Sequence, residues 1–149
     1  MSSGYVFDTE AIIAFLYNEP GHDTVADLLS DVFAGDTPGR IAETNASEVF
    51  YLVARFEGTE EGKPTKESLR EADRDLRALE RRGLQFDRAD WRLAGEIKAD
   101  GHISLADAHA VTLAHEQNST LVVGADDDFD ELPVTVDLLQ FRNDSVPMR

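Results

Sequence analysis

The sequence contains no cysteine, a single tryptophan and only three lysines, which are Lys63, Lys66 and Lys98, among its 149 residues. Without cysteine the chain can form no disulfide and no thiolate metal site, and a cytoplasmic location is the simplest expectation. It also lacks any run of 18 apolar residues, so we expect no membrane-spanning helix. No linker, repeat or low-complexity segment is present, and the length suits one ordinary domain. A single domain over 1–149 is therefore predicted.

Positive charge is scarce. The chain has 14 Lys and Arg residues against 30 Asp and Glu residues, for a net charge of −16. The acids are spread along its whole length, and this even, lysine-poor acidity resembles proteins of a high-salt cytoplasm, where the Debye length is about 3 Å at 1 M salt. We therefore hypothesise a halophilic, archaeal source. The same melting temperature in ~0.1 M and ~2 M KCl would contradict this hypothesis.

The acidity also bears on nucleic-acid binding, which usually needs a basic surface. That objection weakens if the acidity is a solvent adaptation, or if metal ions rather than basic side chains meet the phosphate. Four arginines do repeat along one face of a predicted helix: Arg70, Arg74, Arg77 and Arg81. A track for the RNA backbone is one interpretation. A solvated helix face is favoured, because Glu67, Glu71 and Asp73 are spaced to pair with these arginines.

Apolar periodicity alternates between strand-like and helix-like segments. Strands are predicted at 4–8, 40–42, 84–86, 119–124 and 133–139, and helices at 9–18, 25–33, 44–57, 65–82, 87–99 and 104–117. This alternation predicts an α/β fold, a three-layer sandwich with a central, mainly parallel sheet flanked by helices. Six apolar side chains are further predicted to face the core or lie in it: Leu69, Ala72, Leu76, Leu79, Trp91 and Phe129.

Four acids stand at the edge of an apolar element, where a soluble protein seldom places charge: Asp8, Glu48, Asp107 and Asp126. Asp8 and Asp126 each follow a strand-like run, so they should meet at the carboxyl edge of a parallel sheet, where such folds bind ligands. A desolvated carboxylate is costly unless a cation or hydrogen-bond donors compensate it. Several converging carboxylates are best explained by a bound divalent metal.

Each acid also has a plainer interpretation. Asp8 could cap the helix that follows it. Ser104 and Asp107 have the spacing of a capping box, which would place an acid there without any metal. Glu48 could lie on a solvated helix face, and residues 126–128 could form an acidic turn. Capping and metal binding remain compatible, because a cap uses one carboxylate oxygen.

Four motifs, taken in order, resemble those of PIN-domain ribonucleases and of VapC-type toxins from toxin–antitoxin pairs. They are Phe7-Asp8-Thr9, Asn45-x-x-Glu48, Ser104-Leu105-Ala106-Asp107-Ala108 and Gly124-Ala125-Asp126-Asp127-Asp128-Phe129. The resemblance covers roughly residues 4–140, which is nearly the whole chain. Thr9 matches a hydroxyl residue common after the first acid of the family. Gly124 departs from the family, which often has Ser or Thr just before the fourth acidic segment.

The resemblance implies a ribonuclease that uses Mg²⁺ or Mn²⁺ to hydrolyse RNA phosphodiesters. It assigns catalytic and metal-binding roles to Asp8, Glu48, Asp107 and Asp126, with Asp128 as a further metal ligand. Glu48 would bind the metal or position the attacking water. Hard divalent ions prefer such oxygen ligands.

The implied partners are an RNA substrate and a small antitoxin protein, and the resemblance suggests a homodimer. Three alternatives stay open. The chain could be a housekeeping RNA-processing nuclease of the same fold, or, given Gly124, a PIN fold that binds RNA or a protein partner without cutting. A receiver-type signalling module is less favoured, because Asp8 stands alone after its strand and the last lysine, Lys98, is not at a strand end.

Overall fold

The computed structural model describes residues 4–124, 129 and 131–142, in which five strands alternate with six helices. The strands are β1 (Tyr5–Phe7), β2 (Gly39–Ala42), β3 (Gln85–Asp87), β4 (Thr120–Val123) and β5 (Asp137–Gln140). The helices are α1 (Thr9–Tyr17), α2 (His22–Phe33), α3 (Glu43–Phe56), α4 (Lys66–Arg81), α5 (Trp91–Asp100) and α6 (Leu105–Glu116).

The sheet has the strand order β3-β2-β1-β4-β5, and every described pairing is parallel. β1 is central, with Tyr5 aligned to Gly39 on one side and to Thr120 on the other. From β1 the chain proceeds outward through β2 and β3, and it later returns to add β4 and β5 on the opposite side. The strand order therefore reverses between β1 and β4, which is the position where open parallel sheets form a ligand-binding crevice.

Successive side chains of the strands pack into two separate cores, one on each face of the sheet. Phe7 and Val122 pack with α1 to α4 on one face of the sheet. Val6 and Leu121, their neighbours in sequence, pack with α5 and α6 on the other face. This period of two is what a strand buried on both faces requires. The three-layer α/β sandwich predicted from the sequence is thus confirmed, with a sheet that is parallel throughout its described pairings.

Two predicted core positions are wrong. Trp91 is 75% exposed, because α5 begins at this residue and not at position 87, which is the end of β3. Leu69 is 41% exposed near the start of α4, although Ala72, Leu76 and Leu79 on the same face are buried as predicted. Phe129 is buried in the core beside α6, as expected.

Helix α4 shows why its arginine stripe suits a solvated face. Arg77 pairs with Asp73 and Glu80, each at 3.4 Å, and all three side chains are largely exposed. Such pairs contribute little to stability, typically below about 1 kcal/mol. No helix in the described part of the chain is both long enough and apolar enough to cross a membrane.

Candidate metal site

A cavity of about 250 Å³ opens at the carboxyl edge of the sheet, where β1 and α1 meet. It is lined by Asp8, Thr9, Glu10, Glu48, Leu52, Ser104, Asp107 and Phe129. Three of the four acids predicted from the sequence are therefore brought together, each from a different part of the fold. Asp126 and Asp128, the other predicted ligands, lie outside the described residues. Since a water molecule occupies about 30 Å³, the cavity has room for an ion with several waters.

Asp8 links the sheet to the first helix and is 3% exposed. Its backbone N–H donates to the carbonyl of Val122 at 3.2 Å, which ties the end of β1 to β4. Its Oδ1 accepts a hydrogen bond from the N–H of Ala11 at 2.8 Å, so Asp8 is the N-cap of α1. The capping role considered for this residue is confirmed. A carboxylate has a second oxygen, so the cap does not exclude a metal.

The pKa of Asp8 is raised well above its usual value, chiefly because burial disfavours the charged form. The nearby negative charges of Asp107 and Glu10 raise this pKa further, while the N–H of Ala11 and the guanidinium of Arg142 oppose the rise. A bound cation would act in the opposite direction, because it stabilises the ionised carboxylate that burial and repulsion disfavour.

Glu48 is positioned by a chain of hydrogen bonds from α3 to α1. The Thr9 hydroxyl donates to Oε1 of Glu48 at 2.5 Å and accepts from Nδ2 of Asn45 at 3.0 Å. Asn45 is fully buried, and its Oδ1 has no hydrogen-bond partner among the residues described. The three-residue spacing of Asn45 and Glu48 puts both on one face of α3. The Asn45-x-x-Glu48 spacing is evident in the sequence, but it does not predict that Asn45 would bond to Thr9.

Asp107 reaches the cavity from the first turn of α6. The Ser104 hydroxyl caps this helix and accepts from the backbone N–H of Asp107 at 3.1 Å. This contact is the serine half of the predicted capping box. The Asp107 carboxylate is half-buried and lines the cavity.

Glu10 and Arg142 are site residues that the sequence did not single out. Glu10 lies in the first turn of α1 and lines the cavity. Nη1 of Arg142 lies 3.4 Å from both carboxylate oxygens of Glu10. Glu10 directly follows the Asp8-Thr9 motif, so its position was a usable signal. Arg142 is 132 positions further along the chain, and no local pattern connects it to the site.

The chemistry of these donors fits a hard divalent cation such as Mg²⁺ or Mn²⁺, which prefers carboxylate oxygens. Within residues 4–124, 129 and 131–142, no three acids or histidines are grouped closely enough to form a complete metal site. Asp8, Glu48 and Asp107 would therefore supply part of a ligand set. A cation would stabilise the ionised form of Asp8 most, because Asp8 is the most buried of the three.

Two of the solved structures that resemble this chain illustrate the shared fold. One is the crystal structure of VapBC2 from Rickettsia felis bound to a DNA fragment from their promoter, with 18% identity and a TM-score of 0.67 over 91% of this chain and 97% of that chain. The other is FitAcB from Neisseria gonorrhoeae, with 18% identity and a TM-score of 0.60 over 92% of this chain and 97% of that chain. No curated protein sequence matches the chain.

The family comparison extends over most of the sequence. The family model of the PIN domain matches residues 5–134. This range contains β1 to β4 and every described acid that lines the cavity. The motifs read from the sequence, the parallel sheet and this match agree with one another. The chain belongs to the PIN domain family.

Proposed function

We propose that this PIN domain is a divalent-metal-dependent endoribonuclease that hydrolyses RNA phosphodiesters. Its family is one of nucleases. The observation that carries the proposal is the convergence of Asp8, Glu48 and Asp107 on one cavity at the carboxyl edge of the sheet. An anionic cavity of this kind suits phosphate chemistry only if a cation is present, because it would otherwise repel the substrate.

In this proposal Asp8, Asp107 and Asp126 hold Mg²⁺ or Mn²⁺, with Asp128 as an auxiliary ligand. When bound, the cation supplies positive charge for the phosphate and acidifies a water for attack. Glu48 either joins the ligands or orients the attacking water as a proton acceptor. The hydrogen bond from Thr9 fixes Glu48 for both roles, because it restrains one oxygen and leaves the other for the cavity.

The acidic surface is compatible with an RNA substrate if cations provide the charge that Lys and Arg provide in other nucleases. Salt also screens the repulsion between RNA and the net charge of −16. Activity is therefore best sought at high KCl, the condition that the proposed halophilic source suggests.

The test is cleavage of total RNA at high KCl, with Mn²⁺ or with EDTA, by wild type, Asp8→Asn and Asp90→Asn. Asp90 is the matched control, because its side chain also caps a helix, α5, but does not line the cavity. We expect Mn²⁺-dependent fragments from wild type and Asp90→Asn, and none from Asp8→Asn. Full cleavage by folded Asp8→Asn would refute the assignment. Metal binding without cleavage of any RNA would favour the non-catalytic PIN fold.

We further propose that the chain is the toxin of a toxin–antitoxin pair, inhibited by a small antitoxin, and that it forms a homodimer. The motif resemblance to VapC-type toxins and the structural likeness to VapBC2 and FitAcB support this proposal. Co-expression with a small protein encoded beside the gene should abolish cleavage, and light scattering should give twice the monomer mass. Activity unaffected by any neighbouring gene product would favour the housekeeping nuclease instead.

A further inference from the structure

Gly124 directly follows β4, and its surroundings explain why it is glycine. Its φ lies outside the left-handed region, so the backbone itself does not require glycine there. A Cβ at this position would lie 2.6 Å from Oε1 of Glu10 and 3.4 Å from its carboxyl carbon and Oε2. Among the described residues, and apart from the chain neighbours of Gly124, these three carboxylate atoms are the nearest to that position. Glycine at 124 therefore leaves room for the Glu10 carboxylate.

The Glu10 carboxylate is held at this position from two directions. It lies in the first turn of α1, two residues after the capping Asp8. On its other side, Arg142 is fixed by a hydrogen bond to the carbonyl of Pro20 at 2.8 Å and by an ion pair with Glu19 at 3.2 Å. From there Nη1 of Arg142 reaches Glu10 at 3.4 Å, a long contact for an ion pair. Both side chains of this pair are partly exposed, so the pair contributes little to stability.

We propose that Glu10 is a further carboxylate for the divalent cation of this cavity, and that Gly124 is the residue that gives it access. The inference rests on the proposed metal-dependent function. One observation behind it is that Glu10 lines the same cavity as Asp8, Glu48 and Asp107. The other is that the Glu10 carboxylate occupies the space that a side chain at position 124 would need. The competing explanation is that Glu10 only anchors Arg142. The two explanations differ in what Glu10 does to cation affinity.

The test is a titration of Mn²⁺, alone and without RNA, into the full-length protein by calorimetry. Glu10→Gln keeps the size of the side chain and removes its charge, and we expect it to weaken Mn²⁺ binding about tenfold. Gly124→Ala should weaken binding in the same direction, because the new methyl group displaces the flexible carboxylate. The double variant should bind no more weakly than Glu10→Gln, because both changes act on the same group.

Two matched controls separate this effect from general damage. Glu96→Gln removes an exposed acid of α5 that pairs with Arg92 and lies outside the cavity lining. Gly95→Ala adds a methyl group where nothing lies within 4 Å. Both should bind Mn²⁺ like wild type, and thermal melts should show that all variants are folded.

The outcomes distinguish this inference from the proposed function. Unchanged Mn²⁺ affinity in Glu10→Gln, with binding lost in Asp8→Asn, would overturn the role of Glu10 and leave the metal site intact. A wild-type protein that binds no Mn²⁺ would overturn both. Weaker Mn²⁺ binding by Glu10→Gln in a protein that cleaves no RNA would support the role of Glu10 and contradict the nuclease.

Discussion

Two helices begin at the cavity, and they bring an acid to it in different ways. In α1 a single residue, Asp8, both caps the helix and faces the site. In α6 the two tasks are divided, because Ser104 caps the helix and Asp107 supplies the carboxylate. The difference follows from the connections. β1 passes into α1 through Asp8 alone, whereas residues 101–104 separate α5 from α6. The helix cap and the site carboxylate are therefore one residue in α1 and two residues in α6.

Replacing Asp8 should have the largest effect. Asp8→Asn and Asp8→Ala should each lower kcat/KM roughly 100-fold or more, since that is the cost of losing about 3 kcal/mol of transition-state stabilisation. The two variants should differ in stability. Asn can still accept the hydrogen bond from Ala11 and Ala cannot, so Asp8→Ala should have a free energy of unfolding about 1 kcal/mol lower than Asp8→Asn. Urea unfolding in EDTA measures this difference, and equal stabilities would show that the cap contributes nothing.

Replacing Asp107 should impair cleavage comparably without the same loss of stability. Asp107→Ala should be at least as stable as Asp107→Asn, because Ser104 supplies the cap and Ala has the higher helix propensity. At position 8 the Asn variant should therefore be the more stable of the two, whereas at position 107 the Ala variant should be at least as stable as the Asn variant. The same urea experiment tests this reversal. An Asp107→Ala protein about 1 kcal/mol less stable than Asp107→Asn would remove the distinction between the two helices.

The dependence of stability on pH should identify Asp8 as the buried acid. Because the folded state raises the pKa of Asp8, it holds that proton more tightly than the unfolded chain does. In EDTA, the stability of wild type relative to Asp8→Asn should therefore be greatest below about pH 4, the usual Asp pKa. It should fall as pH rises through the raised pKa.

Adding Mn²⁺ provides the control for this experiment. A metal binds the ionised carboxylate, so the stability that wild type gains from Mn²⁺ should grow as pH rises. A difference between wild type and Asp8→Asn that stays constant with pH, with and without Mn²⁺, would contradict the burial of a titrating Asp8.

Removing the hydroxyl of Ser104 should have the smallest effect. Ser104→Ala should lower the free energy of unfolding by about 1 kcal/mol, because α6 loses its side-chain cap. Cleavage should largely persist, since Asp107 keeps its carboxylate. Ser104→Thr, which can also cap, should recover most of the stability in thermal or urea unfolding. A loss of cleavage in Ser104→Ala as large as that in Asp107→Asn would show that the cap and the carboxylate act as one unit.

The sequence predicted those parts of the site that local patterns encode. Asp8 follows an apolar strand, and Asp107 has a capping serine three residues before it, so short segments indicated both positions. The three-layer fold was predictable for the same reason, because buried parallel strands appear as continuous apolar runs. The structure brings Asp8, Glu48 and Asp107 to one cavity, but the catalytic and metal-binding roles of these three residues stay predictions. The roles of Asp126 and Asp128 and the single domain over 1–149 also stay predictions.

The features that the sequence did not reveal depend on contacts between distant segments. Arg142 meets Glu10 across 132 positions, and nothing near either residue indicates that contact. Leu69 has the correct periodicity for the core, but periodicity gives the face of a helix and not how far its neighbour extends along it. The predicted core position of Trp91 is wrong, because this first residue of α5 faces solvent.

The central position of β1 affects when the cavity can form during folding. Asp8 leaves the ribosome before β4, the strand that shelters it. The two strands pair through Phe7 and Val122, which are more than a hundred positions apart. Closing so long a loop is slow and entropically costly. A chain still being synthesised therefore carries the first acids without the enclosure that raises the pKa of Asp8. We expect the site to form only after β4 has joined the sheet, so incomplete chains should have no nuclease activity.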